Sequence, residues 1–154
     1  MKKKILLLED NLYTAEDLTE EIEFILNQKQ DLQIIKANNI DEANDSLDHI
    51  LTNSDELIYI IVDLNMSPAG LTPSEKQETE STVLTGFIWV LRHVWNRPEF
   101  KDVKVIFYSA FVNRLFSNSI YKSLRLIEKR KLTIIDKNEY DVESFGEKLL
   151  TLIS

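Results

Sequence analysis

No cysteine occurs among the 154 residues. A disulfide scaffold, a thiolate nucleophile and a cysteine-held metal are therefore excluded. Glycine and proline are scarce, with three of each. No phosphate loop of the G-x-x-x-x-G-K type is present, so a nucleotide triphosphatase has no support. Positive charge is also short: Lys and Arg number 18 against 26 Asp and Glu, for a formal net charge of -8. The basic residues form no long stripe, which argues against nucleic acid as a partner. Long apolar runs are missing too. No stretch approaches the roughly 20 apolar residues of a membrane span. The start, Met1 to Lys4, is basic, but the apolar run behind it stops at Leu8 before two acids, too short for a signal peptide. The expectation is a cytoplasmic protein with no membrane partner.

Apolar residues make up 44% of the chain, enough for a core, and the length is that of one domain, 1–154. Short apolar runs alternate with stretches of helical period. Ile5 to Leu8 reads as a buried strand. Thr14 then opens a helix, with Asp17 placed as in a capping box and Ala15, Leu18, Ile22 and Ile25 on one face. Leu32 to Ile35 is a second strand, followed by a helix on Ile40, Ala43, Leu47 and Ile50. Leu57 to Val62 is the most apolar strand and belongs at the centre of a parallel sheet. Leu84, Phe87, Ile88, Leu91 and Trp95 mark a third helix, Val103 to Tyr108 a fourth strand, and Val112, Leu115, Ile120 and Leu124 a fourth helix. Leu132 to Ile135 and then Val142, Phe145, Leu149 and Leu152 close the chain. This (βα)5 alternation implies an α/β fold, a doubly wound parallel sheet with helices on both faces. Residues 67–82 interrupt the rhythm and, lacking apolar periodicity, read as a long exposed loop or mobile lid.

Ligands of such folds bind beyond the carboxyl ends of the strands. Polar groups stand there on four of the five: Glu9 and Asp10, Asp63, Ser109 and Lys137. Carboxylates brought together repel unless a cation compensates, and a hard divalent ion such as Mg²⁺ takes oxygen ligands. A carboxylate nucleophile, a metal, a lysine and a hydroxyl are the equipment of phosphoryl transfer. Taken singly, each residue has an ordinary reading: Asp10 or Asn11 as a helix start, Asp63 as a strand end, Ser109 as an N-cap, Lys137 as a surface lysine. His49 and His93 lack ligand partners, and Trp89, Val90 and Val94 point to deeper burial of the third helix.

Five segments in order carry a resemblance. They are Ile5-Leu-Leu-Leu-Glu-Asp-Asn11, Ile60-Ile-Val-Asp-Leu-Asn-Met66, Thr85-Gly-Phe-Ile-Trp-Val-Leu-Arg92, Val105-Ile-Phe-Tyr-Ser-Ala110 and Ile134-Ile-Asp-Lys137. Together they resemble the response-regulator receiver domain of two-component signalling, over nearly the whole chain. The resemblance implies a flavodoxin-like sheet of strand order 2-1-3-4-5. It implies Asp63 as phospho-acceptor, and Mg²⁺ held by Asp10, Asp63 and the backbone carbonyl of Asn65, with Glu9 acting through water. Ser109 and Lys137 would contact the phosphoryl group. It further implies a histidine kinase or phosphotransfer protein as donor and a downstream protein as target. The protein would be a monomer or a phosphorylation-linked homodimer, with no enzyme activity beyond its own phosphorylation and slow dephosphorylation. The sequence departs from the family at Ser67-Pro68, in the longer loop before the third helix, and at Asn138, where proline is usual. It departs again at Ile134, where an aromatic ring usually acts as the switch. Those last two changes keep open a receiver that binds partners without phosphorylation. A haloacid-dehalogenase-like phosphatase ranks lower, because Asn65 stands where its second aspartate belongs and cannot cycle a proton. Asn65 and Phe111 are expected to border the path of a hydrolytic water.

Overall fold

The computed structural model of the chain describes residues 2–27 and 31–154. Five apolar stretches form parallel strands: β1 (Lys3–Leu8), β2 (Leu32–Ala37), β3 (Glu56–Val62), β4 (Lys104–Ser109) and β5 (Leu132–Asp136). Their order in the sheet is β2-β1-β3-β4-β5. Alternation along each strand sends side chains to two separate cores. Leu6, Leu8, Ile60, Val62, Val105 and Phe107 pack on one face; Ile5, Leu7, Tyr59, Ile61, Ile106 and Tyr108 pack on the other. Both faces are covered, which is why the strands read as continuous apolar runs rather than alternating ones.

The second face is covered by α1 (Leu12–Leu26) and a long carboxyl-terminal helix (Val142–Ile153), through Leu18, Ile22, Phe145 and Leu149. α1 begins earlier than Thr14. Asn11 is its N-cap, accepting the Thr14 N–H at 3.0 Å, so the expected start with Asp17 in a capping box gives way to this Asn cap. The first face carries α2 (Ile40–Thr52) through Ile40, Ala43, Leu47 and Ile50.

Residues 67–82 are not a structureless loop. They contain α3 (Pro73–Glu78), opened by a capping box between Thr72 and Glu75 with proline at the first helical position. Leu71 and Thr79 are buried at its two sides. The segment has few apolar residues because polar bonds fix it: Glu78 pairs with Arg92 at 2.7 Å and Glu75 with His93 Nε2 at 2.9 Å. His93 thus has a partner the sequence did not reveal.

The expected third helix is α4 (Thr85–Trp89), continued by a π-helical turn at Val90–Val94. Trp89, Val90 and Val94 are fully buried, as their position on a widened apolar face implied, and the Trp89 indole donates to Asn44 at 2.9 Å. The expected fourth helix is broken into α5 (Val112–Ser117), α6 (Ser119–Lys122) and α7 (Leu126–Lys129). The break falls at Asn118, which is extended and turns its side chain to accept the N–H groups of Ile120 and Tyr121. Asparagine competes with the helix in this way by offering the backbone a side-chain acceptor. The carboxyl-terminal helix Val142–Ile153 is α8. Among the described residues no helix is long and apolar enough to cross a membrane.

Candidate functional site at the carboxyl edge of the sheet

Sheet bonding continues one residue past the strand ends and fixes the polar groups there. The N–H of Glu9 donates to Ala37, that of Asp63 to Leu8 at 3.3 Å, and that of Lys137 to Ser109 at 2.9 Å. Three side chains therefore start from a rigid edge and converge. Lys137 Nζ donates to Glu9 Oε1 at 2.8 Å and to Asp63 Oδ2 at 2.9 Å. The same ammonium lies 5.4 Å from the centre of the Tyr108 ring, whose electron-rich face adds to its stabilisation.

Charge is the controlling quantity. Glu9 is only 2% exposed. Burial, and then the neighbouring charge of Asp63, raise its pKa above the usual carboxylate value, against the opposing pull of Lys137 and the Asn11 N–H. Burial acts to lower the Lys137 pKa, but the two carboxylates outweigh it and hold the ammonium above its ordinary value. One cation shared by two carboxylates is firmly charged, while each carboxylate is only partly compensated.

Asp63 lies just past β3, and the backbone behind it is pinned by Gly86. The Gly86 N–H donates to the Leu64 carbonyl at 2.9 Å. A Cβ at position 86 would fall 2.0 Å from the Asp63 carbonyl oxygen, so only glycine fits this approach of α4 to the turn after β3. Asp63 Oδ1 accepts the Asn65 N–H at 3.3 Å, and Asn65 Oδ1 accepts the hydroxyl of Thr82 at 3.0 Å.

The remaining expected members stand apart from this triad. Asp10 is exposed, and its Oδ2 accepts the Ser67 N–H at 3.3 Å. Ser109 is fully buried, and its Oγ accepts the Phe111 N–H at 3.1 Å; among the described residues that hydroxyl bonds neither the Asp63 nor the Lys137 side chain. Nor is it an N-cap, since Phe111 occupies that position at α5. Phe111 is 37% exposed and belongs to neither core. Ile134 is packed against the first core, as an aliphatic side chain should be. Among the described residues no three His, Asp or Glu side chains converge well enough to hold a metal ion together. The donor types fit a hard divalent cation, since Glu9, Asp10 and Asp63 offer only carboxylate oxygens. In the present arrangement Lys137 supplies the compensating charge, and Asp10 is engaged by Ser67.

Two polar elements of the site were not foreseen. Thr82 reaches Asn65 from 17 residues away, which no local pattern signals. Asn138 folds back on the Asp136 carboxylate through its N–H at 2.8 Å, and its amide donates to the Ala110 carbonyl at 3.3 Å, tying the β5 and β4 loops together. Residues of this type favour such side-chain-closed turns, so that signal was present in the sequence.

The chain shares its fold with response-regulator receivers. A phosphorylated cyanobacterial phytochrome response regulator, RcpA, superposes with a TM-score of 0.60 at 16% identity, over 99% of this chain and 91% of that one. A CheY-like receiver domain from Methylobacillus flagellatus superposes with a TM-score of 0.51 at 19% identity, over the whole of both chains. No protein-family model and no curated protein sequence matches the chain. At these identities the likeness establishes the fold: five parallel strands in the order 2-1-3-4-5, flanked by helices, as in a receiver domain.

Proposed function

We propose that this chain is a phosphorylation-dependent switch in two-component signalling, with Asp63 as the acceptor. The observation that carries the reading is the single ammonium of Lys137 bonded to both Glu9 and Asp63 at the carboxyl edge of a receiver fold. An Asp63 carboxylate oxygen attacks the phosphorus of a phosphohistidine or small acyl phosphate. The new O–P bond forms as the donor's bond to phosphorus breaks, and the donor leaves with that electron pair. Lys137 is already charged and at hydrogen-bond distance, so it is placed to pair with the incoming phosphoryl oxygens without being protonated first. The buried Ser109 hydroxyl keeps its proton free to donate, because the bond to Phe111 uses it only as an acceptor. A bound Mg²⁺ would neutralise charge on the transferred group, with Asp10, Asp63 and the Asn65 carbonyl as its holders and Glu9 acting through water. Phosphorylation removes a negative charge from an Asp63 oxygen and adds a dianionic group, so Lys137 has cause to leave Glu9. That redistribution is the switch, read by a downstream protein partner. The donor is a histidine kinase or phosphotransfer protein, the protein acts in the cytoplasm, and it is a monomer or a homodimer formed on phosphorylation.

The second reading is a receiver that binds its partner without phosphorylation. It is favoured by the bond from the Ser67 N–H to Asp10, which already engages a carboxylate that would hold the metal. Incubation with acetyl phosphate, with and without Mg²⁺, separates the two. A Mg²⁺-dependent species retarded on a phosphate-affinity gel supports the switch. Its absence with acetyl phosphate and phosphoramidate alike supports the second reading.

A further inference from the structure

We propose that Thr82 is a positioning residue that lengthens the life of the phosphorylated state by holding the side chain of Asn65. The proposal rests on the acceptor role given to Asp63 above. It begins with the backbone. Glu80, Ser81 and Thr82 have φ values of 50°, 58° and 84°, three consecutive left-handed residues with no glycine among them. For a β-branched threonine this is a marked outlier, and such strain persists only where the surroundings over-determine it.

The surroundings do so on both sides. The Leu84 N–H donates to the Thr79 carbonyl at 2.8 Å, and the Thr85 hydroxyl to the Thr82 carbonyl at 2.9 Å. Glu80 accepts the Asn118 amide at 3.0 Å and lies 3.5 Å from Arg114, which anchors the turn to α5 and the cap of α6. From this turn the Thr82 hydroxyl donates to Asn65 Oδ1 at 3.0 Å.

Asn65 is two residues past the acceptor, and its own N–H is bonded to Asp63 Oδ1. Hydrolysis of the acyl phosphate needs a water in line with the Asp63 oxygen that leaves: water oxygen bonds to phosphorus, the phosphorus bond to Asp63 breaks, and the carboxylate departs with the electron pair. The water's proton passes to solvent or to the departing phosphate. The Asn65 amide oxygen is the side-chain acceptor nearest in sequence that could orient that water. Thr82 takes one of its two lone pairs and fixes the direction of the amide, so the oxygen is no longer free to turn toward the water. An orienting group displaced by about 1 Å carries roughly a hundredfold in rate, so its sequestration is worth a measurable slowing.

The test is the rate at which the full chain, phosphorylated with acetyl phosphate and Mg²⁺ and then separated from donor, loses its phosphoryl group. Thr82→Val keeps the shape and removes the donor; it is expected to lose phosphate faster, by about tenfold. Thr82→Ser restores the donor and should return the rate towards wild type. In an Asn65→Ala background, Thr82→Val should no longer change the rate. Thr82→Gly distinguishes positioning from mere structure, because glycine accepts this φ: its melting temperature should be no lower than wild type while phosphate loss is still accelerated. If phosphorylated wild type and Thr82→Val decay equally, or Thr82→Ser is as fast as Thr82→Val, the positioning role is wrong and the acceptor reading stands. If wild type takes up no phosphoryl group at all, the acceptor reading fails and this proposal fails with it.

Discussion

Replacing Lys137 with methionine keeps most of the volume and removes the cation that Glu9 and Asp63 share. The side chain is 22% exposed, Asp63 12% and Glu9 2%, so the pair is largely withdrawn from water. Removing one partner of a buried ion pair costs about 3–5 kcal/mol, mostly through the charge left behind. The partial exposure of Lys137 places this site at the low end, about 3 kcal/mol. The pH dependence follows from Glu9. A group whose folded pKa is raised contributes stability that is complete below its unfolded pKa and lost as pH rises through the folded one. Burial and Asp63 already raise Glu9, and the variant loses the two Lys137 influences that lower it, so its pKa climbs further. The variant's deficit should then shrink on acidification from about pH 7 to about pH 5, by on the order of 1 kcal/mol. Urea denaturation of wild type, Lys137→Met and Lys137→Met with Glu9→Gln measures this. The double variant should recover most of the loss at neutral pH. A Lys137→Met loss below about 0.5 kcal/mol, or one that neither acid nor Glu9→Gln relieves, would refute the shared-cation account.

Other outcomes follow from neighbouring contacts. Gly86→Ala puts a Cβ 2.0 Å from the Asp63 carbonyl, so it should cost about 1–3 kcal/mol by denaturation and depress phosphorylation more than an alanine elsewhere in α4 does. Asp10→Ala should weaken Mg²⁺ binding, measured by calorimetry, more than Glu9→Ala, because a directly held carboxylate loses more than one acting through water; equal affinities would contradict those roles. Glu75→Ala removes both the capping box of α3 and the bond to His93, so cleavage after the exposed Lys76 in limited proteolysis should accelerate while the sheet stays protected.

The parallel sheet was legible because strands buried on both faces cannot alternate, and the runs Ile5–Leu8 and Leu57–Val62 show it directly. Asp63 and Lys137 were legible because a strand end in such a sheet can face only the one edge. The Asn11 cap and the capping box at Thr72 and Glu75 were written in local residues, yet apolar periodicity outweighed them and shifted one helix start and hid α3. The break at Asn118 was likewise local, masked by Leu115, Ile120 and Leu124 at near-helical spacing. What no pattern could give is the long-range polar wiring: Ser67 to Asp10, Thr82 to Asn65, and His93 to Glu75. These depend on the path of residues 67–82, which is set by left-handed turns and ion pairs rather than by hydrophobic period.

Intact mass tests Asp63 as the acceptor most directly. After incubation with acetyl phosphate and Mg²⁺, wild type is expected to gain the mass of one phosphoryl group, and Asp63→Asn under the same conditions to gain none. An unchanged wild-type mass, or an equal gain in Asp63→Asn, would contradict it.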